Sequence, residues 1–187
     1  MKHFFYKRRV KKALGNCLEA LATLQRAFFV NYLRKDYIKY QLHYQRSLNI
    51  QSNFFFRAMV KARSLINPGS KYWEAFCKIN HLSEIVFSLN QLRFRVNDYT
   101  TFKICLRELQ EIEKMSKLLF LQLSALLFKD NGIDISAFEE KIHDFEGIYN
   151  RTLQIVSVDP LTFMFFIQDL YALYDEMQAL YQVILRF

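Results

Sequence analysis

Residues 159–185, DPLTFMFFIQDLYALYDEMQALYQVIL, carry the pattern that decides the fold. Phe163, Phe166, Leu170, Leu173, Met177, Leu180 and Ile184 recur in steps of three and four only, so on a 3.6-residue helix they form one apolar stripe. A strand would scatter the same residues over both faces of a sheet. Asp159-Pro160 supplies a start, an N-cap side chain followed by a residue whose missing N–H costs nothing at the first helical position.

The same rhythm continues upstream. Phe138, Ile142, Phe145, Tyr149, Thr152 and Val156 follow Ser136-Ala-Phe-Glu139, which has the spacing of a capping box. Cys105, Leu109, Ile112, Ser116, Leu119, Leu123 and Leu126 form the stripe before that, closed by the left-handed stop signal Asn131-Gly132. Trp73, Phe76, Ile79, Leu82, Val86 and Leu89 lie between Ser70, a cap, and the break at Asn97-Asp98. A second predicted helix starts with Asp36 as N-cap, carries Tyr37, Tyr44, Leu48, Phe55, Ala62 and Leu65, and stops before Asn67-Pro68-Gly69. The first carries Val10, Leu14, Cys17, Leu21, Leu24 and Phe28. Six helices on short connections predict an all-α antiparallel bundle, a single domain over 1–187 whose first two helices are longest and project. The near-3.5-residue repeat predicts packing at roughly 20°.

Composition agrees with few, long elements, since only 4 Gly and 2 Pro occur in 187 residues. Cys17, Cys77 and Cys105 form no CxxC pair and are odd in number, so they are expected to be buried, reduced thiols in a reducing compartment. The longest uncharged run of note, Leu118–Phe128, lies between Lys117 and Lys129 and falls well short of the about 20 residues that a membrane span needs. The segment after Lys12 is amphipathic and not the apolar core of an export signal.

Charge is uneven. Residues 1–66 hold 14 Lys and Arg against 2 Asp and Glu, whereas residues 67–187 hold 12 against 16. An anionic partner near the first third is implied, either nucleic acid or an acidic membrane face. No catalytic signature accompanies it: the four glycines are isolated, and neither HExxH nor GxSxG occurs. Glu140 and His143 match one half of a bundle di-iron motif, but no second Glu-x-x-His exists, so they are expected to face solvent with no metal. Asp169, Asp175 and Glu176 are expected on the wet face of the last helix. The reading is non-enzymatic and without cofactor.

Rings interleaved with cations offer a different chemistry. Tyr37, Tyr40 and Tyr44 neighbour Lys39, His43 and Arg46, and Phe54-Phe55-Phe56 precedes Arg57, Lys61 and Arg63. Such rings can stack on single-stranded nucleic acid, yet most aromatic residues here must form core. Phe55 fits the stripe, which leaves Phe54 or Phe56 for a neighbouring helix or a partner.

Residues 4–66, with Lys7-Arg8-Arg9 and Lys11-Lys12, then ALGNCLEALATLQRAFFVNYLRKDY, then RSLNIQSNFFFRAMVKARSLI, resemble the soluble helical region of fusaric-acid-resistance-type and aromatic acid exporters. The closing DPLTFMFFIQDLYALYDEMQALYQVIL is similar to that region's last helix. Members of the family have membrane segments and this sequence has none, so the resemblance implies an excised domain, a truncated product or one part of a split transporter. It also implies that Lys7, Arg8, Arg9, Lys11 and Lys12 are the cytoplasmic flank of a membrane helix, with Phe4, Phe5 and Tyr6 at its interfacial end. The expected function is a non-catalytic cytoplasmic bundle at the inner face of a membrane, assisting assembly or gating of an exporter of small aromatic or anionic compounds. Homo-oligomers are expected through Phe28, Phe29, Phe54 and Phe56 at the overhanging helix ends. The alternative is a free-standing adaptor whose basic helices bind a partner protein or nucleic acid.

Overall fold

The computed structural model describes residues 2–33, 37–95, 106–128, 135–156 and 160–187. Helix α1 runs Lys2–Leu33, α2 Tyr37–Leu65, α3 Lys71–Arg95, α4 Leu106–Leu127, α5 Ile135–Val156 and α6 Pro160–Leu185. Among the described residues there are six helices and no strand, the all-α bundle that the stripes predict.

Local chemistry sets the ends. Helix α2 stops at Leu65, ahead of Pro68, and Gly69 turns the chain with φ of 81°, a left-handed conformation that side chains disfavour. Ser70 caps α3: its hydroxyl accepts from the Trp73 N–H at 3.3 Å and donates to the Asn67 carbonyl at 2.8 Å. Pro160 opens α6 as its first residue. Helix α5 departs from expectation by starting at Ile135, which puts Ser136 inside the first turn and not at the cap. Asp134, next upstream in the sequence, is itself of N-cap type, so two starts compete one residue pair apart. Asp36, Asn97-Asp98, Asn131-Gly132 and Asp159 lie outside the described residues.

Contacts between helices fix their directions. Helices α1 and α2 pack extensively with only three residues between Leu33 and Tyr37, so this pair is antiparallel, and Asn16, Glu19 and Thr23 share a groove with Phe54, Arg57 and Lys61. Ser124 of α4 donates to the Gly15 carbonyl at 3.3 Å, and Gln25 donates to Ser116, so α1 and α4 are antiparallel too. Glu74 meets Arg186 at 2.7 Å and Ser88 meets Asp169 at 2.7 Å, which sets α3 against α6. Glu111 with Arg151 at 3.1 Å pairs α4 with α5, and Glu139 with Tyr181 at 3.3 Å pairs α5 with α6. Direction therefore alternates along the chain. Neighbourhood does not follow chain order, however: α1 packs most extensively on α2 and α4, α3 packs on α6, and consecutive α2 and α3 stay farther apart, meeting through side chains such as Phe55 and Phe56 against Phe87.

Three neighbours bury more of α1 than one stripe. Val10, Leu14, Cys17, Leu21 and Leu24 are buried as expected, but so are Ala13, Leu18, Ala20, Ala22 and Gln25. Gly15 lets α4 come close, since a Cβ there would stand 2.6 Å from the Phe128 ring and 3.1 Å from the Ser124 hydroxyl. Gln25 and Ser116, bonded to each other, are both fully buried.

Three sequence expectations about solvent exposure are corrected. Glu176 is buried, not wet, and receives Lys78 at 3.1 Å and His81 Nδ1 at 3.3 Å. Asp169 is half-buried against Ser88, and burial pushes its carboxyl above the usual carboxylate range despite that hydrogen bond. Asp175 is exposed as expected. The reason is that α3 covers the flank of the α6 stripe as well as the stripe. Cys17 is buried, but Cys77 is exposed, because it lies on the face of α3 that carries the exposed Glu74, His81 and Glu84, away from the stripe. The Cys105 side chain lies outside what is described.

Candidate functional site

The registers of α1 with its two main partners place Leu65 of α2 opposite Lys12, and Leu127 of α4 close to Ala13. The first turns of α1 therefore extend past the ends of both. This overhang holds the predicted membrane flank. Lys7, Arg8, Arg9 and Lys12 are exposed and Lys11 is half-buried. Lys7 and Lys11, four residues apart, share one face, and Arg8 and Lys12 share the next one round the helix. Phe4 is 61% exposed and Phe5 58%, their rings edge to face with centroids 6.3 Å apart, at the tip of the same helix. Among the described residues none of the five cations forms an ion pair.

Beside the overhang is a cleft of about 260 Å³. Phe4, Lys7, Arg8 and Lys11 form its α1 wall; Tyr72 comes from the first turn of α3, Leu127 and Phe128 from the end of α4, and Phe187 from beyond α6. Four segments distant in sequence thus meet at one end of the bundle. The Tyr72 and Phe187 rings pack at 4.7 Å between centroids. Lys71 holds that corner closed by donating to the carbonyls of Arg186 at 2.9 Å and Phe187 at 3.2 Å. Tyr72 is only 4% exposed, and its hydroxyl has no hydrogen-bond partner; the buried hydroxyl of Tyr6 has none either. Burial raises the Tyr72 pKa above the usual phenol value, and Tyr6 adds to the shift. No carboxylate side chain lines the cleft.

The predicted partner contacts are divided. Phe55 is buried, and Phe56 stacks on Phe87 of α3 at 5.6 Å while remaining 52% exposed. Phe54 is 64% exposed, beside Arg57 and Lys61. Leu42, Ile50 and Val60 extend this exposed apolar set along α2. The side chains of Phe28, Phe29, Tyr37, Tyr40 and Tyr44 lie outside what is described. Glu140 and His143 are both exposed, and His143 Nδ1 lies 3.5 Å from Glu146. Among the described residues no group of three His, Cys, Asp or Glu could hold a metal ion, and no helix is long and apolar enough to cross a membrane.

Sequence reasoning found the cations and missed the cleft. Tyr72 falls outside the α3 stripe, and nothing in the sequence brings Phe128 and Phe187 together with α1. The available signal was positional: Tyr72 and Phe187 each lie next to a predicted helix end. Compared with protein-family models, curated proteins and solved structures, the chain matches none.

Proposed function

We propose that the chain is a non-catalytic helical bundle that docks through the projecting start of α1 on the anionic, cytoplasmic face of a membrane, where it supports assembly or gating of an exporter of small aromatic or anionic compounds. The exporter class comes from the resemblance of residues 4–66 and 159–185. The observation that carries the docking is the overhang: exposed Phe4 and Phe5 next to five cations that form no ion pair among the described residues, at and beyond the ends of α2 and α4. Aromatic rings favour the headgroup region, and each basic residue near an anionic surface contributes about 1 kcal/mol. The exposed apolar face of α2 supports self-association as part of the same reading.

Vesicle co-sedimentation tests it. The chain should bind vesicles containing phosphatidylserine, bind less as salt rises, and ignore neutral vesicles, because screening acts over about 8 Å at physiological ionic strength. Changing Lys7, Arg8, Arg9, Lys11 and Lys12 together to Gln should abolish binding without loss of helix by circular dichroism. Preference for single-stranded oligonucleotide over vesicles at equal salt, with a steep salt dependence, would instead establish the nucleic-acid adaptor.

A further inference from the structure

The cleft at the basic end has properties that a flat membrane surface does not use. Lys7, Arg8 and Lys11 line one small cavity whose other lining residues are aromatic or apolar, with no carboxylate side chain among them. Three cations on one wall of a cleft attract an anion, and Lys11, half-buried, is the least solvated of them. Tyr72 adds a buried hydroxyl without a partner, at a position that native proteins seldom leave unsatisfied. Tyr6, one residue from Lys7, buries a second such hydroxyl. The first turn of α3, on which Tyr72 stands, adds the positive end of a 25-residue helix.

We propose that this cleft binds a phosphomonoester carried on an apolar body, the phosphate held by Lys7, Arg8, Lys11 and the Tyr72 hydroxyl and the body packed on Phe128 and Phe187. A phosphomonoester matches the site better than a carboxylate does. It brings about −1.5 to −2 charges and three acceptor oxygens against three cations and a hydroxyl donor, whereas a carboxylate brings one charge and two oxygens. A cavity of about 260 Å³ has room for the phosphate and a ring or the first part of an acyl chain, and not for a folded polymer. The source is either a free phosphorylated metabolite or the headgroup of a monoester lipid. The site stands whether or not the chain docks on membranes.

Isothermal titration calorimetry on the full chain tests the proposal with four probes: phenyl phosphate, inorganic phosphate, and the soluble short-chain lipids dihexanoyl phosphatidic acid and dihexanoyl phosphatidylserine. Phenyl phosphate is expected to bind at least tenfold more tightly than inorganic phosphate, because only the former reaches the rings. Phosphatidic acid binding more tightly than phenyl phosphate identifies a lipid source, and the reverse order a soluble one; either order supports the site. Phosphatidylserine, a phosphodiester, should bind at least tenfold more weakly than phosphatidic acid. Tyr72→Phe keeps the ring, removes the unpartnered hydroxyl and should weaken phenyl phosphate at least threefold with an unchanged melting temperature. Lys7→Gln with Lys11→Gln should abolish binding. Arg9→Gln with Lys12→Gln, outside the cleft, should leave phenyl phosphate unaffected while reducing vesicle binding, which separates this site from surface docking. Absence of phenyl phosphate and phosphatidic acid binding at millimolar concentration, or affinity indifferent to both the Tyr72 and the Lys7/Lys11 changes, overturns the proposal.

Discussion

Cys17 and Cys77 have the same side chain and opposite chemistry. Burial pushes the Cys17 thiol up to about 12, so it holds almost no reactive thiolate near neutrality, whereas Cys77 is exposed. Iodoacetamide at pH 8 should label Cys77 within minutes and leave Cys17 unlabelled until denaturant is added; equal labelling rates in the native protein would mean that the α1 core opens readily. Asp169 gives a second residue-scale expectation. Because burial raises its pKa, the native chain binds this proton more readily than the unfolded chain does. Its contribution to stability is then fully present below the ordinary carboxylate pKa of about 3.9 and is lost as pH rises through the raised native value. Thermal melts of Asp169→Asn should accordingly shift in the variant's favour, relative to wild type, between pH 4 and pH 7. A shift the other way would show that the Ser88 hydrogen bond outweighs burial.

At the scale of elements, the α2–α3 corner is the best defined junction. The Ser70 hydroxyl joins Asn67 to Trp73, and the Arg63 guanidinium lies 4.1 Å from the centre of the Trp73 ring. Ser70→Ala should cost about 1 kcal/mol, read from urea denaturation, because it strands an α3 N–H that the hydroxyl serves. A cost under about 0.3 kcal/mol would mean that the backbone bond from Trp73 to the Ser70 carbonyl, at 2.8 Å, suffices alone. This corner was legible in the sequence because caps, prolines and left-handed glycines act within a few residues. Helix partners were not legible. A stripe says that a face is covered but not by which helix, so the α1–α4 and α3–α6 pairs could not be read from periods of three and four. The buried Gln25 and Glu176 went unread for the same reason: each is covered from the side by a helix far away in sequence.

Taken whole, the molecule has a basic end and an exposed apolar flank. The cations were legible as a charge cluster within six residues, Lys7 to Lys12, whereas the cleft depends on segments more than 50 residues apart and needed the fold. On the flank, Leu42, Ile50, Phe54, Phe56 and Val60 leave α2 covered on one side only. Analytical ultracentrifugation should show reversible dimers or larger species, and Phe54→Ser with Val60→Ser should weaken association at least about tenfold, or 1.4 kcal/mol. A monomer at high concentration would remove self-association from the proposal. The order of neighbours also governs how the chain is made. Helix α1 gains α2 soon after emerging, but its face around Gly15 and Gln25 stays uncovered until α4 has been translated. At a ribosomal pace of about 5–20 residues per second, the interval between Leu33 and Leu127 lasts roughly 5–20 s. For that period the nascent hairpin presents to solvent leucines that the finished protein hides completely. Nascent chains halted before residue 106 should be retained by chaperones that release chains in which α4 has emerged, so the return of α4 to α1 is the step at which the newborn protein stops needing protection.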